Sequence, residues 1–133
     1  MLDVFEKFAT DEQKELQGVE VPLGNGAKIR VARSDNANYT KALFAAYEEH
    51  EVDLSAEGPE ADKLDTEILA RVMAKHVLVG FSGISYKGEE LPYSEENAYK
   101  LLLIKDFRKT VLRHAAKREN FLSVADKKAL KNS

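Results

Sequence analysis

The chain has 133 residues, of which 44% are apolar and 32% charged, with a formal charge of −3 and no cysteine. That is the length of one ordinary domain, able to bury about two thirds of the surface its unfolded chain exposes, and the composition excludes wholesale disorder. The lack of cysteine excludes disulfides, thiolate chemistry and cysteine-ligated zinc.

Charge is distributed unevenly. Residues 105–133 hold nine Lys or Arg against three acids, and residues 1–104 hold eleven against twenty. A chain polarised in this way can orient a partner or self-associate head to tail. The longest apolar runs, 76–81 and 101–104, fall well short of the about 20 residues of a membrane-spanning helix. The N-terminus has no basic segment leading into an apolar stretch, so neither a membrane anchor nor a signal peptide is expected.

Residues 2–16 place Leu2, Phe5, Phe8 and Leu16 among charged neighbours, which predicts short helical turns with an apolar edge. Thr10, followed by Gln13 in the capping-box position, is the expected cap of the second turn. Next, Val19, Val21 and Leu23 alternate with Glu20 and Pro22. Gly24-Asn25-Gly26 supplies a turn, and Ile29 and Val31 alternate with Lys28 and Arg30. Two alternating runs around a Gly/Asn loop predict a hairpin near 19–32.

Asp35 or Asn36 can cap a helix over 37–50, whose apolar face is Tyr39, Leu43, Ala46, Tyr47 and His50. Residues 48–67 carry nine acids against the single Lys63, with Gly58-Pro59 in the middle. They read as a solvated acidic connection. A helix should follow over 60–79, its stripe formed by Leu64, Ile68, Val72 and Met73. The stretch from Gly80 to Tyr93 is rich in turn residues. Ser94 should cap a helix to Leu103, and Asp106 one to Arg118 lined by Phe107, Val111 and Ala115. The expected fold is mainly α (α+β): a single helical domain over 1–125 with one small N-terminal hairpin, followed by a flexible polar tail at 126–133.

No catalytic, cofactor or metal site is legible. Gly80-Phe81-Ser82-Gly83-Ile84 approaches a nucleophile elbow but has Ile84 where the motif needs glycine. Gly24-Asn25-Gly26 lacks the lysine of a phosphate loop. His50, His76 and His114 lie too far apart to share a helix face, and the acids around His50 read as a solvated helix end. The bases Lys105, Arg108, Lys109, Arg113, Lys117 and Arg118 could contact phosphates. The acidic balance and the absence of a recognition motif disfavour nucleic acid, and on composition these bases should complement the acidic middle of the same chain.

The turn-rich run has further structure. It reads His76-Val77-Leu78-Val79-Gly80-Phe81-Ser82-Gly83-Ile84, then Lys87-Gly88-Glu89-Glu90-Leu91-Pro92-Tyr93-Ser94-Glu95-Glu96-Asn97-Ala98, then Leu101-Leu102, and ends in Phe107 to Phe121. Together with Val31-Ala32-Arg33-Ser34 and Asn36 to Tyr39, this resembles the tail assembly chaperones of long-tailed bacteriophages over about residues 28–121. Phe81 departs from the tryptophan many members of that family carry. On physical grounds the motif residues maintain the fold. Gly88 permits a positive φ, Pro92 keeps Leu91 extended, and Ser94 caps with Asn97 reaching back. Phe81 and Tyr93 pack across the turn and lock two flanking helices.

The resemblance implies a non-enzymatic protein that binds the tape-measure protein and/or tail-tube subunits (the major tail protein) before the tube polymerises. It implies residence in the host cell cytoplasm and absence from the mature virion, with no cofactor. Leu2, Phe5 and Phe8, with Arg113 and Lys117 of the C-terminal region, are the candidate partner-binding residues. A structural head-tail or tail-completion protein of the virion, and a regulatory nucleic-acid binder using the basic C-terminal helix, are the competing readings.

Overall fold

Alternating hydrophobicity makes the sheet, and 3.6-residue periodicity makes the helices that cover it. In the computed structural model, which describes residues 1–122, the chain begins with two short helices, α1 (Val4–Phe8) and α2 (Glu12–Gln17). Strands β1 (Val19–Gly24) and β2 (Ala27–Val31) follow, then helices α3 (Ala37–Glu49), α4 (Glu51–Ser55) and α5 (Pro59–His76). Strand β3 (Leu78–Ser82) returns to the sheet. A small hairpin, β4 (Ser85–Tyr86) and β5 (Glu89–Glu90), leads to α6 (Glu95–Leu102), α7 (Lys105–Ala116) and a 3₁₀ turn at Arg118–Phe121. The fold is mainly helical α+β. The polar tail expected at 126–133 lies outside the described residues.

The hairpin β1–β2 gains β3 on the free edge of β2, giving an antiparallel sheet in the order β1-β2-β3. Val21, Ile29 and Phe81 stand in register across the three strands, as do Glu20, Arg30 and Gly80 one step away. Side chains alternate between faces along a strand. The first row therefore faces the helices, where Ile29 is fully buried, while Glu20 and Arg30 stay in water. Ile29, Val31, Leu78, Met73, Val77, Leu102, Val111 and Phe121 are the large fully buried side chains. Each contributes roughly 1.5–3 kcal/mol by leaving water.

Pro59 opens α5 after Gly58, which has φ 127°, with Glu60 and Asp62 in the first turn and Lys75 and His76 in the last. Both charge patterns favour the helix dipole. Arg71 then ties α5 to α6: it bonds Glu96 at 2.8 Å and stacks 3.5 Å above the centre of the Tyr99 ring.

Several local expectations are corrected. The helix expected to reach residue 79 stops at His76. The Ala32 N–H donates to the Val77 carbonyl at 2.8 Å, and Leu78–Ser82 pairs with β2 instead. A short apolar run satisfies a buried helix or a strand equally, and the open edge of β2 decides it. The acidic connection contains the short helix α4. Asp11, not Thr10, caps α2, accepting from the Gln13 and Lys14 N–H groups, because the Thr10 hydroxyl is engaged with the Glu15 carboxylate. Ile104 occupies the cap position of α7, which runs to Ala116 rather than Arg118, and Asp106 lies inside its first turn.

Segment 32–36 is a junction. Ala32, Arg33 and Ser34 donate their consecutive N–H groups to Val77, Glu15 and Ala115, on three different parts of the fold, at 2.8, 2.8 and 3.0 Å. Asn36 is the one buried polar side chain among the described residues. Its Oδ1 accepts from the Tyr39 N–H at 2.9 Å, and its Nδ2 donates to the Arg33 and His76 carbonyls at 2.6 and 3.1 Å.

Candidate functional site

The motif residues fall into one corner, with a single exception. Phe81 on β3 meets Tyr93 edge to face, ring centres 5.3 Å apart and planes at 87°. The contact joins a strand to the approach of α6, not two helices, because Phe81 belongs to the sheet. The Ser94 Oγ accepts from the Asn97 N–H at 3.0 Å. The Asn97 side-chain amide donates to the Pro92 carbonyl at 2.9 Å, rather than closing a capping box on Ser94. An amide that serves both N–H and C=O can take whichever backbone group the turn presents. Gly88 stands apart at the tip of the β4–β5 hairpin. Lys87 at φ 51° and Gly88 at φ 86° form the two positive-φ positions of its turn. Tyr86 below them is covered by Lys100 of α6 at 4.6 Å. These contacts hold the hairpin onto α6.

The N-terminal residues are different. No residue of α1 is buried: Val4, Phe5 and Phe8 are 64%, 81% and 49% exposed, and Leu2 just before the helix is 63% exposed. The helix forms locally, with Asp3 accepting from the Glu6 N–H at 3.0 Å. It is fastened from the far end of the chain: Arg118 donates to the Lys7 carbonyl at 2.8 Å and lies 5.0 Å from the Phe8 ring centre. The following segment is tied by the Asp11 N–H to the Phe121 carbonyl (2.9 Å), Lys14 Nζ to the Leu122 carbonyl (2.8 Å) and Arg33 to Glu15 (3.0 Å). Among the described residues, the body therefore presents an aromatic edge without burying it.

Arg113 and Lys117 are exposed on the α7 end that leads into Arg118. The basic run as a whole is less free than its composition implies. Arg108 donates to the Leu102 carbonyl at 2.8 Å, and Arg118 is committed to α1. The expected compensation by the acidic middle does not occur. Among the described residues, no ion pair joins the bases of α7 to residues 48–67; Lys63 pairs with Glu67 and Arg71 with Glu96. The acidic segment lies on the end of α3, on α4 and on the first half of α5, while α7 packs mainly on α6.

The histidines stay separate. Burial is the first cause that lowers the His76 and His114 pKa values, ahead of the neighbouring cations. Among the described residues no three His, Asp or Glu side chains gather as a metal cluster, and no helix is long and apolar enough to cross a membrane. Ser82 ends a strand and is exposed; no helix follows it as a nucleophile elbow requires. Sequence reasoning missed the exposed Phe44 on α3 and Val52 on α4, 74% and 83% exposed. Phe44 lies off the face of Tyr39, Leu43, Ala46 and Tyr47, so helical spacing could have revealed it. No local signal marks Arg118 as the clasp of α1, 111 residues away from Lys7.

Residues 34–132 match the family model described as YdaY prophage protein. No curated protein and no solved structure matches the chain.

Proposed function

The chain belongs to the YdaY prophage protein family, and from that phage origin we propose that it is a non-catalytic tail assembly chaperone. Its client would be the tape-measure protein, with the major tail protein as a second client, in the host cell cytoplasm. It would be absent from the finished virion. The observation that carries the reading is the uncovered aromatic edge of α1. A large apolar group left in water on a folded body costs solubility unless a partner covers it. A long amphipathic helix, the chemistry expected of a tape-measure segment, would bury Phe5 and Phe8 against its apolar face. Arg113 and Lys117 would supply a charged rim that orients an acidic client.

The resemblance of the 76–121 run to tail assembly chaperones supports the same reading, as does the structural role of the motif residues. They build a scaffold and leave binding to surfaces elsewhere. The test is co-expression with the long helical tail protein of the same genome, followed by affinity capture and size-exclusion with light scattering. A soluble complex formed only when both are present is the expected result. Aggregation of the partner as before would refute it. Mass spectrometry of purified virions separates the chaperone from a structural head-tail or tail-completion protein, since a stoichiometric copy number belongs to the latter.

A further inference from the structure

Among the described residues, two oppositely charged surfaces have no ion-pair partners. The first is a cleft of about 710 Å³ where α4 turns into α5. Val52, Pro59 and Leu64 form its apolar part, and Asp53, Glu57 and Glu60 its acidic part. The second is the corner between α6 and α7. Leu103 and Ile104 protrude there, 40% and 46% exposed. Lys105, Lys109 and Arg113 follow at four-residue spacing, all three exposed, and so form one stripe along the helix. Among the described residues none of these three cations has an ion-pair partner, and neither do Asp53, Glu57 or Glu60. Like charges at four-residue spacing repel and are mildly destabilising. Each surface thus has an apolar centre and a charged margin, and the signs are opposite.

We propose that the α6–α7 corner of one copy docks into the α4–α5 cleft of a second copy. Leu103 and Ile104 enter against Val52 and Leu64, and Lys105 and Lys109 face Asp53 and Glu57. The apolar centre supplies burial, and the charges set register and partner choice. The contact joins two different patches, so a single contact between two copies leaves one cleft and one corner free. Repeated head to tail it builds an open chain or closes into a ring; made reciprocally by two copies it closes a two-fold dimer. The contact does not use α1 and does not rest on the chaperone reading.

The experiment is sedimentation velocity on the full chain, with fold checked by circular dichroism. Species larger than a monomer are expected at low salt, and the association constant should fall about tenfold or more between about 0.05 M and 0.5 M salt. Lys105→Glu with Lys109→Glu should be monomeric, as should Asp53→Lys with Glu57→Lys. Mixing the two variants should restore association, because each then meets a surface of opposite sign. Glu89→Lys with Glu90→Lys, an equal charge change on β5, should leave association intact. A monomer at low salt, association that survives both reversals, or a mixture that stays monomeric would each overturn the proposal. Association that strengthens with salt and is lost in Phe5→Ala with Phe8→Ala would also overturn it, by moving the contact to α1.

Discussion

The Asn36 side-chain amide donates to the His76 carbonyl at 3.1 Å and so joins the start of α3 to the end of α5. The same side chain caps α3 through the Tyr39 N–H and holds the Arg33 carbonyl. Asn36→Ala removes a cap and leaves two carbonyls without this donor, so a loss of about 2–4 kcal/mol is expected in urea unfolding. Asn36→Asp keeps the cap acceptor but sets a carboxylate against both carbonyls. It should be at least as destabilising, and wild-type stability in that variant would show that the carbonyl bonds contribute nothing.

The exposed edge of α1 separates binding from stability. Phe5→Ala with Phe8→Ala should cost only about 1–2 kcal/mol, through the half-buried Phe8 ring and its contact with Arg118. Capture of the tail protein in co-expression should be lost at the same time. If the double variant unfolds, these side chains are core and the proposed binding surface fails.

The Phe81–Tyr93 pair can be weighed by a double-mutant cycle. An edge-to-face pair contributes roughly 0.5–1.5 kcal/mol beyond area burial. Phe81→Leu and Tyr93→Leu should therefore be non-additive by about that amount in chemical denaturation. Additive losses would mean that the two rings act only through separate burial.

Two glycines should respond differently to alanine. At Gly88 the φ is 86° but a Cβ meets nothing within 4 Å, so Gly88→Ala carries only the left-handed cost of about 1–2 kcal/mol. At Gly83, with φ 68°, a Cβ would sit 2.5 Å from the Gly26 carbonyl oxygen, which is backbone of the β1–β2 turn. Gly83→Ala should cost about 3 kcal/mol or more, read by the shift in the denaturation midpoint. Equal losses at the two sites would show that the β1–β2 turn yields freely.

Acid should weaken the fold through its histidines. Burial first, and then Lys75 at His76 and Lys117 with Arg113 at His114, lower both imidazole pKa values, while Glu95 opposes the shift at His76. The unfolded chain then binds more protons than the folded one below about pH 6.5. The stabilisation is complete above that value and is lost as pH falls through it towards the lowered folded pKa values. Thermal melting should drop from about pH 7.5 to about pH 5.5, and the drop should shrink in His76→Gln with His114→Gln. An unchanged pH profile in that variant would assign the effect to other groups.

What the sequence determined by itself was local. The alternation around Gly24-Asn25-Gly26 is enough for the β1–β2 hairpin, because turn type and side-chain period act over a few residues. Asn36 and Ser94 are legible as caps for the same reason, and Val111 and Ala115 as the inner face of α7. Leu2, Phe5 and Phe8 stood out as an apolar edge too short to enclose a core. Only tertiary structure decided the choices that rest on distant partners. Whether 77–79 continues a helix or enters a sheet depends on the free edge of β2, about fifty residues earlier. That Arg118 clasps α1, and that Asn36 bonds His76, cannot be read from spacing, since neither pair shares a local period. The fate of the charges was equally hidden. Composition records nine acids and a basic run, but whether they neutralise each other depends on which faces the packed helices turn towards one another, and here they do not.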